Sequence, residues 1–307
     1  MLGQIIEVVE SDRRLTLEYG SLVIQSSTLP IARVALDNIQ AVIVNPHGAT
    51  LSAGIISALA ERGIPLVFSG PHFKPTAVVM PLIGHHEIAA RIQLQVEASK
   101  PFGKQAWKQV VKSKLLMQAL ALEAVGVQAS QVRDLIPTVR SGDPVNVEAQ
   151  AARRYWPLMF GPDFRRRRDE PGLNALLNYG YAVIRAAMAR AISASGLHPS
   201  IGIHHRNSMD TMRLVDDFME PYRPLVDVRV FGISQVEEID VVPRTKKMVV
   251  SLLRMDVPTD VGTSPLSVAM YRTASSFVKY LRGERETLEL PGAQMAGIMQ
   301  DAQEAYV

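Results

Sequence analysis

The chain has 307 residues, 47% hydrophobic and 21% charged, with net charge +3 and no cysteine; this is the composition of a globular protein with one large core or two ordinary ones. Disulfides, thiolate chemistry and cysteine-bound zinc are excluded. No apolar run reaches the roughly 18–20 residues of a membrane span. The N-terminus lacks the basic-then-apolar layout of a signal peptide, so the expected setting is the cytoplasm, with no membrane partner.

Residues 1 to about 83 read as β-rich. Ile5–Glu10, Arg14–Tyr19 and Ser21–Ser27 are short β-branched or alternating runs, and Tyr19-Gly20-Ser21 reads as a tight turn. IARVAL and Ile39–Asn45 continue the pattern. Leu51–Arg62 is an amphipathic helix with Gly63 at its C′ position. Pro65–Ser69 and Thr76–Met80 are further strands, and His47 and His72 read as loop residues.

From Gly84 the period becomes helical. Ile88–Ser99 and Gln105–Val125 are helices, and 136–144 is a loop broken by Pro137, Gly142 and Pro144. Asp143-Pro144 predicts a helix start, with Asp as N-cap and Pro at N1. Asn174–Ala194 is apolar nearly all round, as in a helix at the centre of a bundle. Further helices are predicted at 209–219, 245–254, 263–282 and 292–305. The fold class is therefore α+β: a small β-rich N-terminal domain, 1–83, followed by a larger all-α domain, 84–307.

Positive charge is clustered. Lys100, Lys104, Lys108 and Lys112 recur every four residues, within a stretch to Lys114 of five lysines and no acid. From Arg133 to Arg168 there are eight arginines against four acids, including Arg153, Arg154 and the run Arg165, Arg166, Arg167, Arg168. Basic stripes suit a polyanion, because each neutralised phosphate releases counterions. A solvated helix face and an exposed basic loop account for the same pattern.

The most informative stretch is GIHHRNSMDTMRLVDDFMEPYRP, Gly202 to Pro224. Leu214, Val215, Phe218 and Met219 make one apolar helix face, while Asp216, Asp217 and Glu220 share the other before Pro221 ends or kinks the helix. Acids near a helix C-terminus cost about 0.3–1 kcal/mol each against the dipole. Arg213, Arg223 or a divalent cation would offset that. In the helix opened by Asp143, Glu148 shares an inward face with Ala152, Tyr155 and Met159. A carboxylate there must be paired, protonated or bound to metal, and an internal salt bridge to an arginine is the plain alternative. His205 or His204 with Glu148 and Glu220 would make a hard site suited to Mg²⁺ or Mn²⁺ and to phosphodiester chemistry. Spacing alone does not separate the two histidines. No Walker loop, GxGxxG, HExxH or nucleophile elbow is present.

Asn146–Trp156, Leu173–Val183 and Gly202–Pro224, in this order, resemble the signature blocks of the CRISPR-associated spacer integrases, the Cas1 family. The run MEPYRP, with glutamate fifteen residues after the histidine, looks most like the subgroup that accompanies Cas9 effectors. The resemblance implies catalytic metal ligands at Glu148, His205 and Glu220, with His204 and Asp217 in support. It implies a metal-dependent endonuclease and integrase of antiviral defence that joins short foreign DNA fragments to the CRISPR repeat. A 3′-hydroxyl would attack a phosphodiester there. The implied partners are double-stranded DNA, a second copy joined through the β domain, a Cas2 dimer, and Cas9 with other adaptation proteins. Two readings compete: a stand-alone metal-dependent nuclease for branched or repair DNA, and a non-catalytic DNA-binding scaffold.

Overall fold

The computed structural model describes residues 4–297, apart from 9, 28–29, 45–47, 70–74, 80–86, 168, 206, 208, 237–238 and 260–261. His47, His72 and the 83/84 boundary lie outside the described residues. The N-terminal part contains β1 (Gln4–Val8), β2 (Arg14–Glu18), β3 (Ser21–Gln25), β4 (Ala32–Ala35), β5 (Ile39–Val44), β6 (Thr50–Leu51), α1 (Ala53–Glu61), β7 (Leu66–Ser69) and β8 (Pro75–Val79). They form two four-stranded sheets, ordered β4-β3-β2-β6 and β1-β5-β7-β8.

The β2–β3 hairpin turns at Tyr19 and Gly20, both at positive φ (46° and 70°), the mirror-image turn whose twist matches its strands. The helix expected from Leu51 starts at Ala53 instead. Leu51 pairs with Leu15 in the sheet, and Ser52 caps the helix by accepting from the Ile55 amide.

Successive residues of β5 face opposite ways. Val42 and Val44 join the core of the β part with Leu15, Leu59 and Leu66. Ala41 and Ile43, with Val67 of β7, join the core of the helical part. One sheet is therefore the wall between two cores. Polar contacts reinforce it: Tyr179 donates to Glu7 Oε2 at 2.8 Å, and Lys246 Nζ reaches Glu7 Oε1 at 3.0 Å.

The helical part contains α2 (Ile88–Glu97), α3 (Lys100–Ala124), α4 (Ser130–Arg133), α5 (Val147–Phe160), α6 (Leu173–Ala194), α7 (Arg213–Met219), α8 (Arg223–Val236), α9 (Pro243–Val250) and α10 (Leu266–Leu281). It is not all-α: β9 (Asp256–Thr259) and β10 (Gly262–Pro265) form an antiparallel hairpin at the place where the 263–282 helix was expected to begin. Of the helix expected at 292–305, the described residues form only a short 3₁₀ turn at Ala293–Met295 before the α-helical Ala296 and Gly297. None of the helices described is long and apolar enough to cross a membrane.

Two differences place the site. Helix α3 starts at Lys100, five residues before the expected Gln105, because Ser99 caps it and Pro101 falls in the first turn, where a missing N–H costs nothing. Helix α8 is unexpected, since Pro221 reads as the end or a kink of the preceding helix and no helix was predicted after it. Pro224 lies in α8's first turn, and a single 3₁₀ turn, Glu220–Tyr222, absorbs Pro221. Seven-residue α7 is too short to be stable alone. Leu214, Val215, Phe218 and Met219 are all buried at about 1.5–3 kcal/mol each, which outweighs the repulsion among its acids.

Candidate metal centre

Glu148 is set by the start of α5. Asp143 was expected as N-cap, but the cap falls three residues later, at Asn146. Asp143 and Asn146 both adopt left-handed backbone (φ 47° and 54°), which Asp and Asn tolerate. Asn146 is the cap and accepts from the Ala149 amide at 3.1 Å. The Asp143 carboxylate still accepts from the amides of Val147 (2.8 Å) and Glu148 (3.0 Å). Three orphan donors of the helix are thereby satisfied, and Glu148 is fixed in its first turn, where the dipole favours a carboxylate.

Glu220 arrives from the 3₁₀ turn between α7 and α8 and is buried. Between the two glutamates lies the ammonium of Lys114, 2.5 Å from Glu148 Oε1 and 2.5 Å from Glu220 Oε2. Arg223 Nη1 lies 3.2 Å from the other oxygen, Glu220 Oε1. Burial pushes the Glu220 carboxyl up, but Arg223 and Lys114 outweigh it and hold it at about 2. Burial pulls the Lys114 ammonium down, and Glu220 with Glu148 more than reverses that, so it is held above its ordinary value. The internal salt bridge given as the plain alternative for Glu148 is present, with a lysine in place of the arginine.

His205 is organised by Asp217, whose side chain is fully buried. One Asp217 oxygen accepts from the amides of Ile203 (2.7 Å) and His204 (3.2 Å); the other accepts from the amide of His205 (3.2 Å) and faces its Nδ1 at 2.7 Å. A buried carboxylate requires a proton on Nδ1, leaving Nε2 as the lone-pair nitrogen. The hydrogen bond to Asp217 raises the imidazole pKa against the opposing effect of burial. Gly202 is required by close approach: a Cβ there would lie 2.8 Å from both Asp217 Oδ2 and Arg213 Cβ. The His204 ring lies flat on buried Trp107, with centroids 4.1 Å apart and planes 4° apart, and His205 meets the same indole edge-on. Asp216 turns elsewhere, to Arg185 at 2.6 and 2.8 Å.

Behind Glu220 a second polar layer is packed. Arg223 lies over the Tyr181 ring, 4.7 Å from its centroid, and Arg166 lies 5.3 Å from the same centroid. Tyr181 and Tyr155 donate to the two oxygens of buried Asp227 at 2.5 and 2.9 Å. Arg166 also bonds Asn174 and Asn178 at 2.8 and 2.5 Å, so this member of the arginine run faces inward. Arg165, Arg167, Arg153 and Arg154 are exposed, with Arg167 against Glu170 and Arg154 on the Gln131 carbonyl. Arg168 lies outside the described residues. On α3, Lys100 and Lys104 are exposed and Lys108 and Lys112 half-buried. Lys114, two residues past the stripe and so about 200° round the helix, points into the core. Sequence reasoning missed Lys114, Trp107, Tyr181 and Asp227. For Lys114 the available signal was its position four and three residues after the apolar Val110 and Val111 and next to Leu115, which puts it on the apolar face of the helix.

The structure thus brings Glu148 and Glu220 onto one cation and sets His205 within electrostatic reach of Glu220. Among the described residues no three His, Asp or Glu side chains already converge as a metal cage. The donor set fits a hard divalent ion: two carboxylates that already share a positive charge, and an imidazole whose tautomer is locked from behind.

Fold and site together define a protein with a β-rich N-terminal part and a helical part that holds a partly buried carboxylate–ammonium–histidine centre. The profile of the family described as CRISPR associated protein Cas1 matches residues 6–248. The chain is 33% identical over 278 residues to the CRISPR-associated endonuclease Cas1 of Neisseria meningitidis serogroup C (strain 8013), covering 88% of this chain and 90% of that one. It is 27% identical to a CRISPR-associated endonuclease Cas1 of Pyrobaculum aerophilum, over 80% of this chain and 88% of that one. Among solved structures it resembles a casposase bound to integration product (TM-score 0.78, 18% identity, 94% and 93% of the two chains). A Cas1 protein from Thermotoga maritima is similarly close in fold (TM-score 0.77, 15% identity, 93% and 99%). The chain belongs to the Cas1 family.

Proposed function

We propose that this protein is a metal-dependent DNA endonuclease and integrase of CRISPR adaptation, joining short foreign fragments to the CRISPR repeat. The observation that carries the reading is the convergence of Glu148 and Glu220, from separate elements, on one buried positive charge beside a histidine oriented by Asp217. Glu148, Glu220 and His205 Nε2 would hold Mg²⁺ or Mn²⁺. When bound, the ion polarises the scissile phosphoryl oxygen and stabilises the attacking and leaving oxygens.

The chain's own residues supply the rest. Arg223 holds Glu220 in place and keeps it ionised. Asp217 holds the imidazole, and Trp107 walls its edge. Exposed Lys100 and Lys104 on α3, together with Arg153 and Arg154 on α5, would track DNA phosphates and fix register without reading sequence. In the joining step a 3′-hydroxyl forms the new P–O bond, the repeat's P–O3′ bond breaks, and the departing oxygen takes up a proton. No covalent protein intermediate is required.

The curated relatives named as CRISPR-associated endonucleases support the reading, as does the order of the three sequence blocks. The same resemblance supports pairing with a second copy and with Cas2, and MEPYRP with Glu220 supports the Cas9-associated subgroup. The test is strand transfer of a labelled fragment into a repeat-containing plasmid, with Cas2 and Mg²⁺ or Mn²⁺. Wild type should join, and Glu148→Gln, His205→Ala and Glu220→Gln should fall to background. Undiminished joining by any of the three overturns its place in the site. Cleavage of branched DNA with no joining would return the protein to the stand-alone nuclease reading.

A further inference from the structure

Lys114 is a fixed charge in an unusual place. It is buried in the middle of α3, and its ammonium touches both glutamates at 2.5 Å. Of the two glutamates Arg223 contacts Glu220 alone, and it lies over the Tyr181 ring. The two carboxylates are therefore already balanced by two cations. A divalent ion added to this set without rearrangement would leave a large positive excess in a buried space, where like charges interact strongly. One cation has to yield. Arg223 is held over the Tyr181 ring, 4.7 Å from its centroid, whereas lysine carries a compact charge on four rotatable methylenes.

Resting on the metal-dependent reading above, we propose that Lys114 is a resident cation of the centre, which holds Glu148 and Glu220 together in the metal-free protein and surrenders at least one of them to the incoming divalent ion. Lys114 is in this sense a positioning residue that competes with the metal. It keeps two like charges from repelling before the ion arrives, and it sets the affinity with which the ion is taken up. Removing it has two opposite effects. The metal-free fold loses the bridge between α5 and the α7–α8 turn, while the metal no longer has an ammonium to displace.

The experiment compares full-length wild type with Lys114→Met by calorimetric titration with Mn²⁺ and by thermal melting with and without Mn²⁺. The variant should melt lower without metal, bind Mn²⁺ at least about tenfold more tightly, the factor expected for one modest charge pair no longer lost, and gain more in melting temperature on binding. Loss of a merely structural lysine would lower stability without raising affinity. Mn²⁺ binding to wild type with no gain in the variant overturns the proposal and leaves the metal reading intact. Absence of Mn²⁺ binding by both overturns the two together. Should the variant not fold, a crystal structure of wild type with Mn²⁺ decides: Lys114 Nζ leaves Glu148 or Glu220 if the proposal holds, and keeps both contacts if it does not.

Discussion

Tyr155 lies seven residues beyond Glu148, Asp227 lies seven beyond Glu220, and the Tyr155 hydroxyl donates to Asp227 Oδ2 at 2.9 Å. Seven residues are two helical turns. The two elements that carry the glutamates are thus tied once at the centre, through Lys114, and again two turns away. Tyr181 completes the second tie and links it to Arg223 and so to Glu220.

Tyr155→Phe removes one hydroxyl from a buried carboxylate and should cost about 1–2 kcal/mol, read as a lower midpoint in urea unfolding. A variant as stable as wild type would show that this tie contributes nothing.

The same carboxylate predicts a pH effect. Burial, resisted by the hydroxyls of Tyr181 and Tyr155, pushes Asp227 from 3.8 to about 6. With the folded value above the unfolded one, the group favours the fold below about pH 4, and this contribution is lost as pH rises through about 6. Asp227→Asn does not titrate there. Its melting temperature relative to wild type should therefore rise between about pH 4 and pH 7, measured by scanning fluorimetry. A flat difference across that range would sink the idea.

Asp217→Asn should lower the His205 imidazole pKa, because the side-chain bond to Asp217 is the largest influence raising it. In wild type the favourable pairing is fully present below the ordinary histidine value of 6.5 and is lost as pH rises through the elevated one. Proton NMR titration of the ring reads this directly. An unchanged or raised value would mean that Asp217 does not hold the proton-bearing nitrogen.

The start of α5 separates capping from backbone strain. Asn146→Gly keeps the left-handed backbone and should cost only a few tenths of a kcal/mol, while Asn146→Ala loses the cap and strains the backbone, at about 1–2 kcal/mol. Equal urea midpoints for the two variants would contradict the geometry at φ 54°.

If the lysine stripe tracks DNA phosphates, Lys100→Ala and Lys104→Ala should each reduce the slope of log affinity against log salt by about 1, with no change in sequence preference. Binding isotherms at several salt concentrations give the slope. A variant with an unaltered slope does not touch phosphate.

Much of the architecture is local and was readable. The alternation of the N-terminal strands, the turn at Tyr19-Gly20, the apolar face of α7 and the all-round burial of α6 follow from side-chain period and turn chemistry. The inward direction of Glu148 was legible too, because helical spacing fixes which face a residue shares. Helix α8 was not, because a proline in a helix's first turn and a proline that breaks one look alike until the preceding residues are placed.

What the sequence determined by itself is the inventory: an acid on an inward helix face, a histidine pair, three acids before a proline, and the blocks that mark the Cas1 family. Only the tertiary structure decided the partners. Asp216 goes to Arg185, Asp217 to His205 and the amides before it, and Glu220 to Lys114 and Arg223. The physical reason is range. Periodicity orients a side chain relative to its own helix, but a buried charge is neutralised by whatever another element brings within about 3 Å, and Lys114 comes from 34 residues before Glu148 and 106 before Glu220.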